Sequence, residues 1–292
     1  MRKILPAVAI LLLLSSVLCD DFTRKREEMV DKQIISRGIT DPETLHAMLT
    51  VHRHLFVPED LQDEAYADYA LPIGYGQTIS QPYVVALMTS SLDLQGNETV
   101  LEIGTGSGYQ AAVLAEISGH VYTIEIVPEL AQRAEKTLQE LEYTNVTVKN
   151  ADGYFGWEEH HPYDAIMITA AIDHIPSPLI QQLKEGGRLV LPLGNPLYYQ
   201  ALTLVEKRDG ELYTKHICDV SFVPMTGYAQ EMEKEEQEKE QGKGKEKEET
   251  VEGPENAGKD LQKEILYTGA LLGVFLILVV VWKVTMQKRH QE

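Results

Sequence analysis

Cysteine is scarce in this chain: only Cys19 and Cys218 occur among 292 residues. Two thiols exclude a thiolate zinc cluster and permit at most one disulfide, or none if Cys19 leaves with an N-terminal leader. Histidines do occur in pairs, at His52-Arg53-His54 and His160-His161. No cysteine or acid stands at ligand spacing beside them, so no metal site is expected. A basic patch is lacking too. With 26 Lys and Arg against 45 Asp and Glu, the formal net charge is −19, which argues against a nucleic-acid partner. The Gly-Lys-Ser/Thr of a phosphate-cradling loop is missing, and so is any internal repeat.

What is present has globular composition, 43% hydrophobic and 24% charged, enough for one sizeable core. Both ends depart from it. Residues 1–19, "MRKILPAVAILLLLSSVLC", place Arg2 and Lys3 before an apolar stretch and small residues. That order predicts a secretory signal peptide, cleaved near Cys19–Asp20; its apolar run is short for an uncleaved anchor. Residues 265–282, "ILYTGALLGVFLILVVVW", carry no charge. At ~1.5 Å per residue they cover roughly 27 Å, which predicts a transmembrane helix. Lys283, Lys288 and Arg289 follow, making 283–292 a short basic cytosolic tail. Residues 229–264 are rich in Glu, Lys and Gly and read as a charged, solvated tether. The expectation is a single-pass membrane protein with its domain, residues 20–228, lumenal or extracellular. If the N-terminal segment is not a signal, the domain is cytoplasmic.

Within that domain, strand-like apolar runs recur at Thr99–Ile103, Val121–Ile126, Val146–Lys149, Ala165–Thr169, Arg188–Leu193, Leu202–Val205 and Ile217–Val223. Helical periodicity separates the early ones, at Tyr109–Ile117 and Pro128–Leu141. Alternation of this kind predicts an α/β fold with a mostly parallel, doubly wound sheet. Asp209-Gly210 is a hairpin signal, so the last strand is expected to be antiparallel. Residues 22–60 read as helical, with a helix start at Asp41-Pro42-Glu43. Cys218 falls in a strand-like run and reads as a small core residue.

The loop Gly104-Thr105-Gly106-Ser107-Gly108 follows the first strand, where open α/β sheets bind ligands. A dinucleotide fingerprint would need glycine at 109; Tyr109 stands there. Acids accompany the loop instead. Glu102 precedes it, Glu125 ends the second strand and Asp152-Gly153 closes the third. Carboxylates there repel a pyrophosphate and suit a ligand with a cationic sulfonium, an amino group and an unphosphorylated ribose. S-adenosylmethionine fits that description.

The stretches "HRHLFVPE" (52–59), "ADYALPIGYGQTISQPYVVALM" (67–88), "VLEIGTGSGYQAAVLAE" (100–116), "NADGYFGWEEHHPYDAIMITAA" (150–171) and "IPSPLIQQLKEGGRLVLPLG" (175–194) resemble the protein-L-isoaspartate O-methyltransferases over about residues 25–228. The resemblance implies the seven-stranded methyltransferase fold, S-adenosylmethionine as donor and the carboxylate of an L-isoaspartyl residue as acceptor. It places the active-site serine at Ser80 and donor contacts at Ile79, Ser80, Tyr83, Glu102, Gly104, Gly106, Glu125, Ile126, Asp152 and Gly153. Thr226 would lie next to the substrate. Gln81-Pro82-Tyr83 departs from the Ala-Pro-His of animal cytosolic members and matches bacterial-type ones. A carboxylate acceptor is already ionised at neutral pH, so orientation by the Thr78 and Ser80 hydroxyls replaces a strong general base. Ser80 has no neighbouring base to make it a covalent nucleophile. Partners are thus isoaspartyl proteins or peptides, and the expected assembly is a monomer. Two alternatives accompany this reading: a methyltransferase for another carboxylate, and a non-catalytic tethered module that binds isoaspartyl sites. Sequons stand at Asn97 and Asn145.

Overall fold

The computed structural model describes residues 21–195 and 198–231. The signal peptide expected at 1–19, the part of the expected 229–264 tether after residue 231, the span at 265–282 and the tail at 283–292 lie outside the described residues. Among the described residues no helix is long and apolar enough to cross a membrane.

Seven strands form one sheet: β3 (Thr99–Ile103), β4 (His120–Glu125), β5 (Val146–Asn150), β6 (Tyr163–Ile168), β7 (Leu183–Leu193), β8 (Gln200–Arg208) and β9 (Glu211–Val220), in the order β5-β4-β3-β6-β7-β8-β9. β3 pairs in parallel with both β4 and β6, so the strand order reverses across it. The central strands are buried on both faces because helical crossovers cover both. On β3, Val100 packs into one apolar cluster while Leu101 and Ile103 pack into the other, as the two-residue period of a strand requires. The first cluster takes in α1 (residues 21–29), α2 (Pro42–Thr50), α3 (Pro82–Leu92), α4 (Tyr109–Ala115) and α5 (Pro128–Glu140). The second is closed by 3-10 turns near Tyr154 and Trp157, by α6 (Ser177–Gln182) and by Met225 and Ala229.

Only β8 runs against the sheet. The expectation of a reversed last strand is corrected by one position: the hairpin at Asp209-Gly210 reverses the chain again, so β9 resumes the direction of β7. The folded part also continues past residue 228, because Ala229 is buried in the second cluster and the Gln230 N–H bonds the Gly227 carbonyl.

The N-terminal helical region is broken rather than continuous. α1 passes through a π-helical turn (Val30–Ile34) and a 3-10 turn (Ile35–Arg37), and ends at Gly38 in the left-handed region. α2 starts where the sequence predicts, the Asp41 carboxylate accepting the Thr44 N–H at 2.9 Å. Before α3, a small hairpin of β1 (Leu71–Gly74) and β2 (Gln77–Ile79) turns at Tyr75-Gly76, both at positive φ. It carries Thr78 and Ile79 toward the glycine loop.

Candidate active site

The carboxyl ends of β3, β4 and β6 meet at the reversal of strand order, where Ile103, Gly104, Gly106, Ile124, Glu125, Ile126, Gly153, Thr169 and Thr226 line a cleft. Backbone proximity makes it. A Cβ on Gly104, whose φ is +98°, would stand 2.3 Å from Thr169 Oγ1. That hydroxyl instead bonds the carbonyls of Ile103 and Gly104 at 3.0 and 2.7 Å, fastening the end of β6 to the end of β3. A Cβ on Gly153 would meet Ile103 Cγ2 at 2.4 Å.

The three acids have different surroundings. Glu125 is 5% exposed, and its carboxylate accepts the Gly106 N–H at 2.8 Å and the Val127 N–H at 2.9 Å. Each oxygen retains a second lone pair, so the group is oriented and still able to accept ribose hydroxyls. Asp152 accepts the Tyr154 N–H at 3.0 Å and the Tyr228 N–H at 2.8 Å; it joins the end of β5 to the segment that crosses the cleft after β9. Glu102 does not line the cleft. It is fully buried beneath the loop, with Oε2 accepting from Thr123 Oγ1 at 2.5 Å and Oε1 unpartnered. Burial pushes its carboxyl up to about 8, reinforced by the charge of Glu125 and opposed by the Thr123 bond, so it holds a proton at neutral pH. Thr123 also bonds Thr105 of the loop at 2.7 Å.

Thr78 lies at a junction. It lines the cleft, a smaller cavity shared with Ile79, Ser80, Thr105 and Tyr109, and an open groove shared with Ser80, Gln81, Asp219 and Phe222. Among the described residues no histidine or carboxylate bonds the Ser80 hydroxyl. Tyr83 lines none of these three spaces; its half-buried ring packs against the first cluster, with the Arg37 guanidinium 4.7 Å from its centre. His54 serves the helical cap, bonding Tyr66 at 2.8 Å and stacking on Phe22. His160 stacks on Tyr122. Cys218 is half-buried against the first cluster. Sequence reasoning missed Gln77, Thr169, Ala170 and the crossing residues Val223–Met225, which all line the cleft. For all but Gln77, which opens β2, the available signal was a place in a loop after a strand.

A family model described as Protein-L-isoaspartate(D-aspartate) O-methyltransferase matches residues 24–230. The chain belongs to this family. A protein-L-isoaspartate O-methyltransferase 2 of Shewanella sediminis is 57% identical over 210 residues, covering 72% of this chain and 86% of that protein. A relative of the same activity from Opitutus terrae is 55% identical over 204 residues, covering 70% and 88%. Among solved structures, a protein-L-isoaspartate O-methyltransferase superposes with TM-score 0.64 at 29% identity, over 70% of this chain and 67% of that one. A Plasmodium falciparum structure, a protein-L-isoaspartate O-methyltransferase in complex with S-adenosyl-L-homocysteine, gives 0.59 at 25%, over 70% and 97%. This methyltransferase uses S-adenosylmethionine as donor, and its cleft fits that molecule. Ile124, Ile126 and Met225 offer apolar walls to a purine. Glu125 has lone pairs in reserve, and among the described residues no Lys or Arg lines the cleft to favour a pyrophosphate.

Proposed function

We propose that the open groove beside Ser80 receives the isoaspartyl residue, and that Thr78 and Ser80 hold its free carboxylate against the donor cleft. The observation that carries this reading is Thr78, whose position borders both spaces. The donor supplies an electrophilic methyl group on a sulfonium. An acceptor oxygen displaces it in line, a C–O bond forming as the C–S bond breaks and its electron pair remains on sulfur. No proton moves, so the protein contributes alignment and exclusion of water. Ile79, Gly104, Gly106, Glu125, Ile126, Asp152 and Gly153 form or support the donor side; Thr226 closes it next to the acceptor.

The test is methyl transfer from labelled S-adenosylmethionine to an isoaspartyl peptide and to its aspartyl twin by the full chain. Transfer to the isoaspartyl peptide alone is expected. Ser80→Ala should lower kcat at least about tenfold, as for a contact strengthened in the transition state. An unchanged kcat would remove Ser80 from the acceptor site, and transfer only to some other carboxylate would replace the acceptor.

We also propose that the domain is held at a membrane by the uncharged stretch 265–282 and faces away from the cytosol. Supporting this is the order of basic, apolar and small residues at 1–19. The two sequons offer an internal control. Asn97 is exposed before β3, whereas the half-buried Asn145 amide donates to the carbonyls of Ala115 and Ser118. Alkaline extraction should leave the chain in the membrane fraction, and a glycosidase-sensitive mass shift should vanish in Asn97→Gln but persist in Asn145→Gln. A soluble, unglycosylated chain would return the domain to the cytoplasm.

A further inference from the structure

Arg53 is fully buried and lines neither the cleft nor the groove. Its Nε donates to the Ala65 carbonyl at 2.6 Å and its Nη2 to the Ser80 carbonyl at 2.7 Å, while Nη1 has no hydrogen-bond acceptor. The guanidinium carbon lies 4.8 Å from the centre of the Tyr109 ring, and Tyr109 opens the helix after the glycine loop. Ser80 and Tyr109 line the same small cavity between groove and cleft. The guanidinium thus bears on both walls of that cavity. Among the described residues no carboxylate pairs with it; the titratable groups facing it are the hydroxyls of Tyr109 and Tyr66. Burial lowers it from its ordinary value only to about 10, so it is cationic at neutral pH.

A buried cation without a counter-ion is a costly way to brace two carbonyls, since a neutral donor would spare the desolvation. It is well matched to a site that must admit an anion among acids. We propose that Arg53 is the positioning residue of the acceptor site: it fixes the Ser80 turn through the Ser80 carbonyl and places behind it the positive charge that the acceptor carboxylate meets. The inference rests on the reading of Ser80 as the acceptor contact.

Two peptides probe it, the isoaspartyl peptide and the same peptide with the free α-carboxylate replaced by a neutral carboxamide. Their affinities for the full chain saturated with S-adenosylhomocysteine give a ratio, acid over amide. Wild type should favour the acid. Arg53→Met should lower that ratio about tenfold, as expected when one charge near a partly buried carboxylate is lost, with the Kd for S-adenosylmethionine unchanged. Arg53→Lys keeps the cation and should keep the ratio at neutral pH. Burial favours the neutral form of a lysine, so that ratio should fall as pH is raised toward about 9 while wild type holds. If Arg53→Met does not fold, the pH profile of Arg53→Lys decides alone. A mere brace would weaken acid and amide together and leave the ratio unmoved in every variant, which overturns the proposal. Wild type that binds neither peptide condemns the reading of the groove itself, a result distinct from any difference among variants.

Discussion

Three carboxylates at three neighbouring strand ends share a residue type and little else. Glu125 and Asp152 are held by backbone N–H groups; Glu102 has one threonine bond and one bare oxygen. The difference has a measurable consequence. Unfolded, Glu102 titrates at its ordinary 4.5, and folded at about 8. Between those values the native chain holds a proton that the unfolded chain has released. Its contribution to stability is therefore complete below pH 4.5, declines as pH rises toward about 8, and is level beyond. Glu102→Gln is neutral throughout and should lack the decline, so melting curves of donor-free protein should show the variant gaining on wild type between pH 5 and 8. A constant difference would mean that Glu102 is ionised in the fold. The acids were legible in the sequence because their places at strand ends follow from periodicity alone. Arg53 and Thr169 were not, because each acts on a carbonyl far away in the chain, 27 and 65 residues off respectively.

Among the elements, local chemistry sets boundaries where it is strong. Asp41 caps α2 with Pro42 at the first helical position, a pairing that fixes the helix start before any tertiary contact forms. Asp41→Ala should cost ~1 kcal/mol, lowering Tm by about 2–4 °C for a domain of this size without changing donor affinity. A loss of donor binding would show that α2 reaches the cleft. The buried strands were legible for a similar reason: β3 and β6 are near-continuous apolar runs, as parallel strands covered on both sides must be. β9 was placed too late, at 217–223, because its first six residues, Glu211 to His216, are exposed along the sheet edge and carry no hydrophobic signal. Phe222 and Val223 supplied the apolar character but lie past the end of the strand, where they line the groove and the cleft respectively. The β1–β2 hairpin, with strands of four and three residues, was too short to register, though it carries Thr78. α3 reads as apolar nearly all round, a pattern that does not distinguish helix from strand.

On the scale of the whole molecule, a formal charge of −19 surrounds an enzyme whose acceptor is itself an anion. Long-range attraction then has to come from the rest of the acceptor. Isoaspartyl peptides flanked by lysine should associate about tenfold faster at low salt than peptides flanked by glutamate. The gap should close as ionic strength rises, which stopped-flow association rates would read. A gap that survives high salt would indicate direct contacts in the groove, where Asp68 and Asp219 are already engaged with Arg37 and Gln81 and with Tyr199 and His216.

The reversal of strand order at β3 also sets a sequence of events in time. β7, β8 and β9 are joined by hairpins and find their partners locally, whereas fastening β3 to β6 closes a loop between residues 65 apart. Chain entropy makes such a closure slow relative to hairpin zipping. Because the donor cleft is divided across that seam, the capacity to hold the cofactor depends on that closure and not on the hairpins. The ligand therefore recognises completion of the fold, and by mass action it stabilises only chains that have made that closure.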